Sequence, residues 1–423
     1  MTISKAPPFL KHVLVYAVIV VVTLFVFDGI CIGFGLFPPV MNYGDADLGL
    51  RYAKATGRMT ISKCMEFSTG DTVTFQLNED GVRTSLSRAA VLADAHRLRI
   101  GVSGDSQTDL CAPNERIPGG VLEAALNAYG HPSTVLTFGQ GYYSPLQAYL
   151  AFRKILLPYR PDVFILQVYT GNDLQDILRA DDRPHFEATD SGYQIAGPVW
   201  YSLDNPKVRR TSRVLYVLRT LGDRIGVRQT FIRVAELRRL GRQQGAGIAD
   251  IVSYIRDLVK AREPSVGYPD ALSAQMLNQQ LFFQHFPSAR EESIRRMREL
   301  MILIRRENPG ITLVMAPIPS YELVGGQQLD SSLLRTLKRL PMTYDEGRRQ
   351  EGGFYDRLRE LSNETHWIFA DNLAVLRNYQ GSERLYNSFD YHLLPNASVL
   401  VGQAEAEALR RAMSQDKRVA LSR

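Results

Sequence analysis

The chain has 423 residues and a formal charge of +6, with apolar and charged fractions of 45% and 22%. That composition excludes a disordered chain and leaves room for one large α/β domain with insertions or for two modest domains. The charge is uneven: eleven Lys and Arg residues fall between Lys207 and Arg242 against only Asp223 and Glu236, a basic stretch of the kind that faces nucleic acid or anionic lipid.

In chain order the first element is an apolar run. Val13–Phe27 reads VLVYAVIVVVTLFVF, and after Asp28 the run resumes as far as Phe37, before Pro38 and Pro39. With its shoulders it reaches the roughly 20 residues a bilayer needs. Lys5 and Lys11 precede it, which predicts a cytoplasmic segment 1–12, a transmembrane anchor 13–37 and everything beyond about 40 on the periplasmic or extracellular face of the inner membrane. A cleaved signal peptide is the alternative, but no small-x-small site follows the run, and Ile30 stands before Cys31 where a lipoprotein site needs a small residue. This compartment disfavours nucleic acid. The basic stretch then reads as a helix on the membrane surface or against the anchor, or as a solvated helical face. Cys64 and Cys111, the only cysteines past the anchor, are expected to pair there.

Residues 41–93 are mixed, with strand-like pieces such as Thr72–Leu77 and a turn at Asn78–Gly81, and predict a β-rich accessory region. The α/β pattern begins near 94 and extends to 415. Strands are expected at Arg97–Val102, Ser133–Phe138, Asp162–Tyr169, Ile311–Ala316 and His366–Ala370. Helices are expected at Glu115–Tyr129, Leu146–Leu157, Glu292–Asn308, Tyr355–Ser362 and Ala397–Met413. Alternation of this kind predicts a doubly wound parallel sheet, flavodoxin-like and three-layered. It is interrupted by an insertion at about 180–290 that reads as helical and basic.

Ser106 lies in VSGDSQT directly after the first α/β strand, the end of a parallel sheet where ligands bind. A helix expected to follow would favour the charge of a serine nucleophile there. Gly139 and Gly141, in TFGQGYYS, can present a backbone N–H to a developing oxyanion or simply open a βα loop. Asn172, in YTGNDLQD, can donate its side-chain amide or serve only as a turn residue. A hydrolytic serine needs a base oriented by a carboxylate. Asp94–His96 precedes the first strand and Asp182–His185 follows the third, whereas Asp390–His392 stands between the last strand and the last helix. His392, with Asp390 behind it, is therefore the expected base.

The order GDS…G…GND…D-x-H resembles the four blocks of the SGNH (GDSL-type) hydrolase family, and LNEDGVR and YRPDVFILQVYTGND are similar to membrane-anchored bacterial members. The resemblance runs from about Leu77 to Arg411, outside the insertion. It implies Ser106 as nucleophile and backbone oxyanion donor, Gly141 and Asn172 as the other donors, His392 as base, Asp390 as its orienting acid, and no metal or organic cofactor. The implied substrate is an acyl ester, on a glycan or lipid of the envelope. Three features depart from the pattern. Gln107, Thr108, Asp109 and Leu110 replace the usual residues after GDS, block two reads GQGYY, and the Asp-to-His spacing is two. That spacing resembles polysaccharide O-acetyltransferase relatives, so an esterase, an O-acyltransferase and a catalytically silent binding protein all remain open. Ile318–Val324 (IPSYELV) is similar to a loop near the active site of such relatives, or marks only a strand ended by proline.

Overall fold

The computed structural model describes residues 15–16, 19–20, 22–23, 26, 42–45, 47–52, 57–61, 73–141, 143–180, 183–190, 192–197, 247–261, 279–325, 343–387 and 391–415. Asp390, Asp182, Cys31, Cys64, the basic stretch and most of the apolar run lie outside them. Of that run, Val15, Tyr16, Ile19, Val20, Val22 and Val26 are helical and each more than half exposed. Among the described residues no helix is long and apolar enough to cross a membrane.

Two antiparallel hairpins come first, β1 (Asn42–Asp45) with β2 (Gly49–Tyr52) and β3 (Gly57–Ile61) with β4 (Val73–Leu77). Short helix α1 (Arg88–Ala93) comes next, capped by the Ser87 hydroxyl. Then β5 (Leu98–Gly104), α2 (Pro118–Ala128), β6 (Ser133–Gly139), α3 (Pro145–Ala151), β7 (Val163–Tyr169) and a single turn α4 (Asp173–Asp176) alternate. The insertion opens with a hairpin, β8 (His185–Thr189) and β9 (Gly192–Ala196), and continues through α5 (Ile248–Ala261) to α6 (Pro287–Glu307). The chain closes with β10 (Thr312–Ile318), α7 (Tyr321–Val324), α8 (Tyr344–Glu364), β11 (Ile368–Phe369), α9 (Asn372–Arg377) and α10 (Pro395–Gln415).

The five central strands are parallel in the order β11-β10-β7-β5-β6. By sequence of appearance this is 2-1-3-4-5, the flavodoxin-like doubly wound order, whose binding crevice lies where the chain reverses direction, outside the carboxyl ends of the first and third strands. Here those are β5 and β7. Side chains alternate across the sheet. Ile100, Val102, Val163 and Ile165 bury one face against Leu122 and Leu126 of α2 and Ala406 and Leu409 of α10. Phe164, Leu166, Leu313 and Met315 bury the other against α3, Met297 and Leu300 of α6, and Phe354 and Leu358 of α8.

Three expectations need correction. The described part of the insertion is not uniformly helical, because His185–Thr189 pairs antiparallel with Gly192–Ala196, whose Gly192 has a positive φ. Helix α8 starts eleven residues before Tyr355 (355 − 344), at a capping box in which Thr343 and Glu346 satisfy each other's backbone. The segment Leu146–Leu157 is α-helical only to Ala151, passes through a π-turn at Phe152–Leu156, and ends in a left-handed Arg160.

The second accessory hairpin, β3–β4, is fastened to the loop beyond β5. Buried Arg83 stacks 4.0 Å over the Phe75 ring, pairs with Asp109 at 3.3 Å, and donates to the Leu110 and Ala112 carbonyls. Asn114 bonds the backbone of Gln76 in both directions, as an added strand residue would. Cys111 is disulfide-bonded and packs with Val73, Phe75 and Leu77 of β4. Its partner lies outside the described residues, and Cys64, three residues beyond β3, is the pairing expected from sequence. Peptide mapping of unreduced protein should recover a Cys64–Cys111 cross-link. A Cys31–Cys111 peptide, or a free Cys64 thiol beside an oxidised Cys111, would overturn that pairing.

Candidate active site

Ser106 sits on one tight turn beyond β5. Asp109 N and Thr108 N both donate to the Asp105 carbonyl, at 3.1 and 3.2 Å, and Asp105 Oδ1 accepts from Gln107 N at 2.9 Å. Two glycines make room for it. A Cβ on Gly104 would collide with Thr108 Oγ1 and stand 2.9 Å from the Gln167 carbonyl, and one on Gly139 would stand 2.8 Å from the Asp105 carbonyl. Contrary to the expectation from sequence, the turn does not lead straight into a helix. Loop 110–113 and a 3-10 turn intervene before α2, because the loop is held by Arg83 and Cys111 instead.

Gly141 is beside the serine, with a Cβ built there falling 3.9 Å from Ser106 Cβ. Asn172 stands at the carboxyl end of the neighbouring strand β7, in a half-buried position with φ −145°. Its Nδ2 donates to Asp176 Oδ2 at 3.2 Å, and its buried Oδ1 has no hydrogen-bond partner among the described residues. Asp176 is in turn paired with Arg183 (3.1 Å) and Arg179 (3.3 Å), so the amide is oriented by a braced carboxylate.

His392 lies in a loop that folds back on itself: Leu394 N donates to Leu385 O, and Asn387 N to His392 O, both at 2.9 Å. Gln107, the residue after Ser106, grips both sides of it. Its Nε2 donates to the Tyr391 carbonyl at 3.3 Å and its Oε1 accepts from Leu393 N at 3.1 Å. Tyr391 has φ +57°, an unusual value for a bulky residue, and its ring packs on Tyr321 with centroids 5.2 Å apart. Tyr321 belongs to the IPSYELV segment. Pro317 does not end the strand there, since it pairs with Val168 inside β10, and Ser320 caps the short helix α7.

The other two candidate histidines are elsewhere. His96 is exposed at the amino end of β5. His185 is buried at the start of β8, with its ring nitrogens 3.3 Å from Arg183 O and 3.2 Å from Glu187 Oε1. Asp390 lies outside the described residues.

The electrostatics around the serine are unusual for carboxylates. Burial pushes Asp105 up to about 6, against the opposing Gln107 N–H and the attraction of His392. Burial likewise lifts Asp173 well above the carboxylate range, reinforced by Asp105 and Asp176. Asp173 Oδ2 accepts from Tyr169 N at 2.7 Å. Among the described residues no group of three or more His, Cys, Asp or Glu is arranged to hold a metal. Sequence reasoning missed the role of Gln107, whose partners are 284 and 286 residues away. It also missed Asp105 as a buried acid, although that residue stands inside the GDS motif.

A scan against protein-family models and a search of curated proteins each gave no match. Among solved structures the chain is similar to an acetylxylan esterase from Geobacillus stearothermophilus, with 9% identity over 74% of this chain and 94% of that one and a TM-score of 0.34. It is similar also to a lipase/acylhydrolase from Enterococcus faecalis, with 10% identity over 74% and 96% and a TM-score of 0.34. A third such structure is an α/β hydrolase from the metagenome of Lake Arreo, Spain, with 10% identity over 73% and 94% and a TM-score of 0.33.

Proposed function

We propose that this chain is a serine-dependent acyl-ester hydrolase of the SGNH type. Ser106 Oγ attacks the ester carbonyl while His392 takes its proton, and Asp390 orients the imidazole. The oxyanion is met by the N–H groups of Ser106 and Gly141 and by the Asn172 amide. The alcohol then leaves with the proton returned by His392, and water, activated by the same histidine, releases the acid. The observation that carries this reading is the Gln107 side chain, which joins the nucleophile turn to the backbone on both sides of His392. A second reading, transfer of the acyl group to an envelope glycan, is favoured by the two-residue Asp-to-His spacing. It changes only the acceptor in the second step.

A fluorophosphonate probe tests the core of the proposal. Wild-type protein should be labelled, Ser106→Ala should not, and His392→Ala should react about 10²–10⁴-fold more slowly, the usual worth of a positioned base. A folded wild type that stays unlabelled at Ser106 would make the chain a binding protein on this fold. Product analysis with a labelled ester, with and without an oligosaccharide acceptor, then separates hydrolase from transferase.

We also propose that the apolar run anchors the chain and leaves this domain outside. Support comes from the exposed, helical, apolar residues of the run and from the oxidised Cys111, since disulfides persist in oxidising compartments. Cys111 found as a free thiol in cells quenched with an alkylating agent would count against that placement.

A further inference from the structure

A carboxylate buried behind the site joins its two halves. Glu351, on α8, is 4% exposed. Thr170 Oγ1 donates to its Oε1 at 2.5 Å, Ser320 Oγ donates to its Oε2 at 2.6 Å, and Ser320 N lies 3.3 Å from Oε1 and 3.0 Å from Thr170 Oγ1. Thr170 is two residues before Asn172, and the Thr170 carbonyl is braced by Gln279, which also accepts from Gln175 N just beyond Asn172. Ser320 leads to the other half. Beside it the Pro319 carbonyl accepts from Tyr386 Oη at 2.6 Å, and Tyr321 packs on both Tyr386 and Tyr391, the residue before His392.

We infer that Glu351 is a positioning residue that holds the Asn172 turn and the His392 loop in one fixed relation. The inference rests on the proposed chemistry, in which an oxyanion donor on one side must keep its distance from a base on the other. The physical case is the completeness of the clamp. A buried carboxylate costs stability unless its lone pairs are filled, and here the filling donors come from the two segments that flank the site. A second buried acid, Glu322 on the adjoining turn, is pushed up to about 8, by burial first and by Glu351 second. Burial raises the Glu351 carboxyl as well, against the hydrogen bonds from Ser320 and Thr170 that fill its oxygens.

The test pairs kinetics with hydrogen exchange on the full chain. Glu351→Gln keeps length and volume but leaves only one acceptor for the two hydroxyls. On an activated ester its kcat should fall about tenfold with KM within about twofold, measured well below its melting temperature. A residue that only stabilised the fold would lower the melting temperature and leave kcat in place. Backbone exchange should quicken together in peptides covering 167–176 and 385–394, two segments far apart in sequence. Thr170→Val removes one arm of the clamp and should give the same pattern if Glu351→Gln cannot be folded. Unchanged kcat, or faster exchange confined to 344–364, overturns the inference. If wild type proves inert toward the probe, the functional reading fails while the exchange result still decides the clamp.

Discussion

Asn172→Ala should lower kcat on an ester that Ser106 cleaves by about two to three orders of magnitude, the scale on which loss of one oxyanion donor is felt. Negative charge gathers on the carbonyl oxygen as the serine adds, and a donor helps only if it is already aimed there. The Asn172 amide is aimed by Asp176, which accepts one of its hydrogens at 3.2 Å and is itself held by Arg183 and Arg179. That leaves the second amide hydrogen for substrate. The substitution should spare the fold. Asn172 makes no side-chain cap to α4, so the usual loss of a cap does not apply, and Asp176 keeps both arginines as partners. Fluorophosphonate labelling should persist at a reduced rate while melting temperature stays close to wild type. Near-full turnover by Asn172→Ala would leave Asn172 as a turn residue and no more.

Much of the candidate site is legible along the chain because its motifs are local. GDS and GND each stand just beyond a strand, and the strands β5, β6, β7 and β10 are apolar enough to be placed within two or three residues. The rest depends on partners far away in sequence. Gln107 reads as a departure from a family pattern, yet it is the side chain that reaches His392's neighbours. Glu351 and Glu405 lie on long polar helices, where a carboxylate ordinarily faces water; only the packed fold buries them. Helix α8 reads short from sequence because Gly352–Gly353 and a charged run hide its periodicity, although Thr343 and Glu346 announce its start. The β8–β9 hairpin is masked by the basic, helix-spaced residues beyond it.

Glu405→Gln should leave stability nearly unchanged at about pH 4.5 and raise it at pH 8. Glu405 is fully buried on α10, where Gln167 Nε2 donates to its Oε1 at 2.7 Å and Asn372 lies alongside with its own Nδ2 given to the Pro317 carbonyl. No Lys, Arg or His among the described residues forms an ion pair with it. Glu405 Oε2, and Asn372 Oδ1 and Gln167 Oε1 of its two neighbours, lack a hydrogen-bond partner among the described residues. A neutral acid carries no charge for burial to penalise, whereas a carboxylate there would add an acceptor with too few donors. Burial accordingly lifts Glu405 to about 8, against the Gln167 and Asn372 hydrogen bonds. The sign comes from the unfolded chain, in which a glutamate ionises near ~4.3. Below that value both states are protonated and the stability is fully present. Between there and about 8 the unfolded chain has released a proton that the fold retains, so stability falls as pH rises through that window. Glutamine copies the neutral acid in shape, can accept from Gln167 as the acid does, and cannot ionise. At about 1.4 kcal/mol for each pKa unit, its advantage at pH 8 is on the order of a few kcal/mol. Urea unfolding of both proteins at pH 4.5 and pH 8 measures it, and an equal difference at the two values would mean that Glu405 is already charged in the fold. The consequence reaches the candidate site, because α10 begins three residues after His392 and a charged Glu405 would unsettle the helix from which the His392 loop hangs.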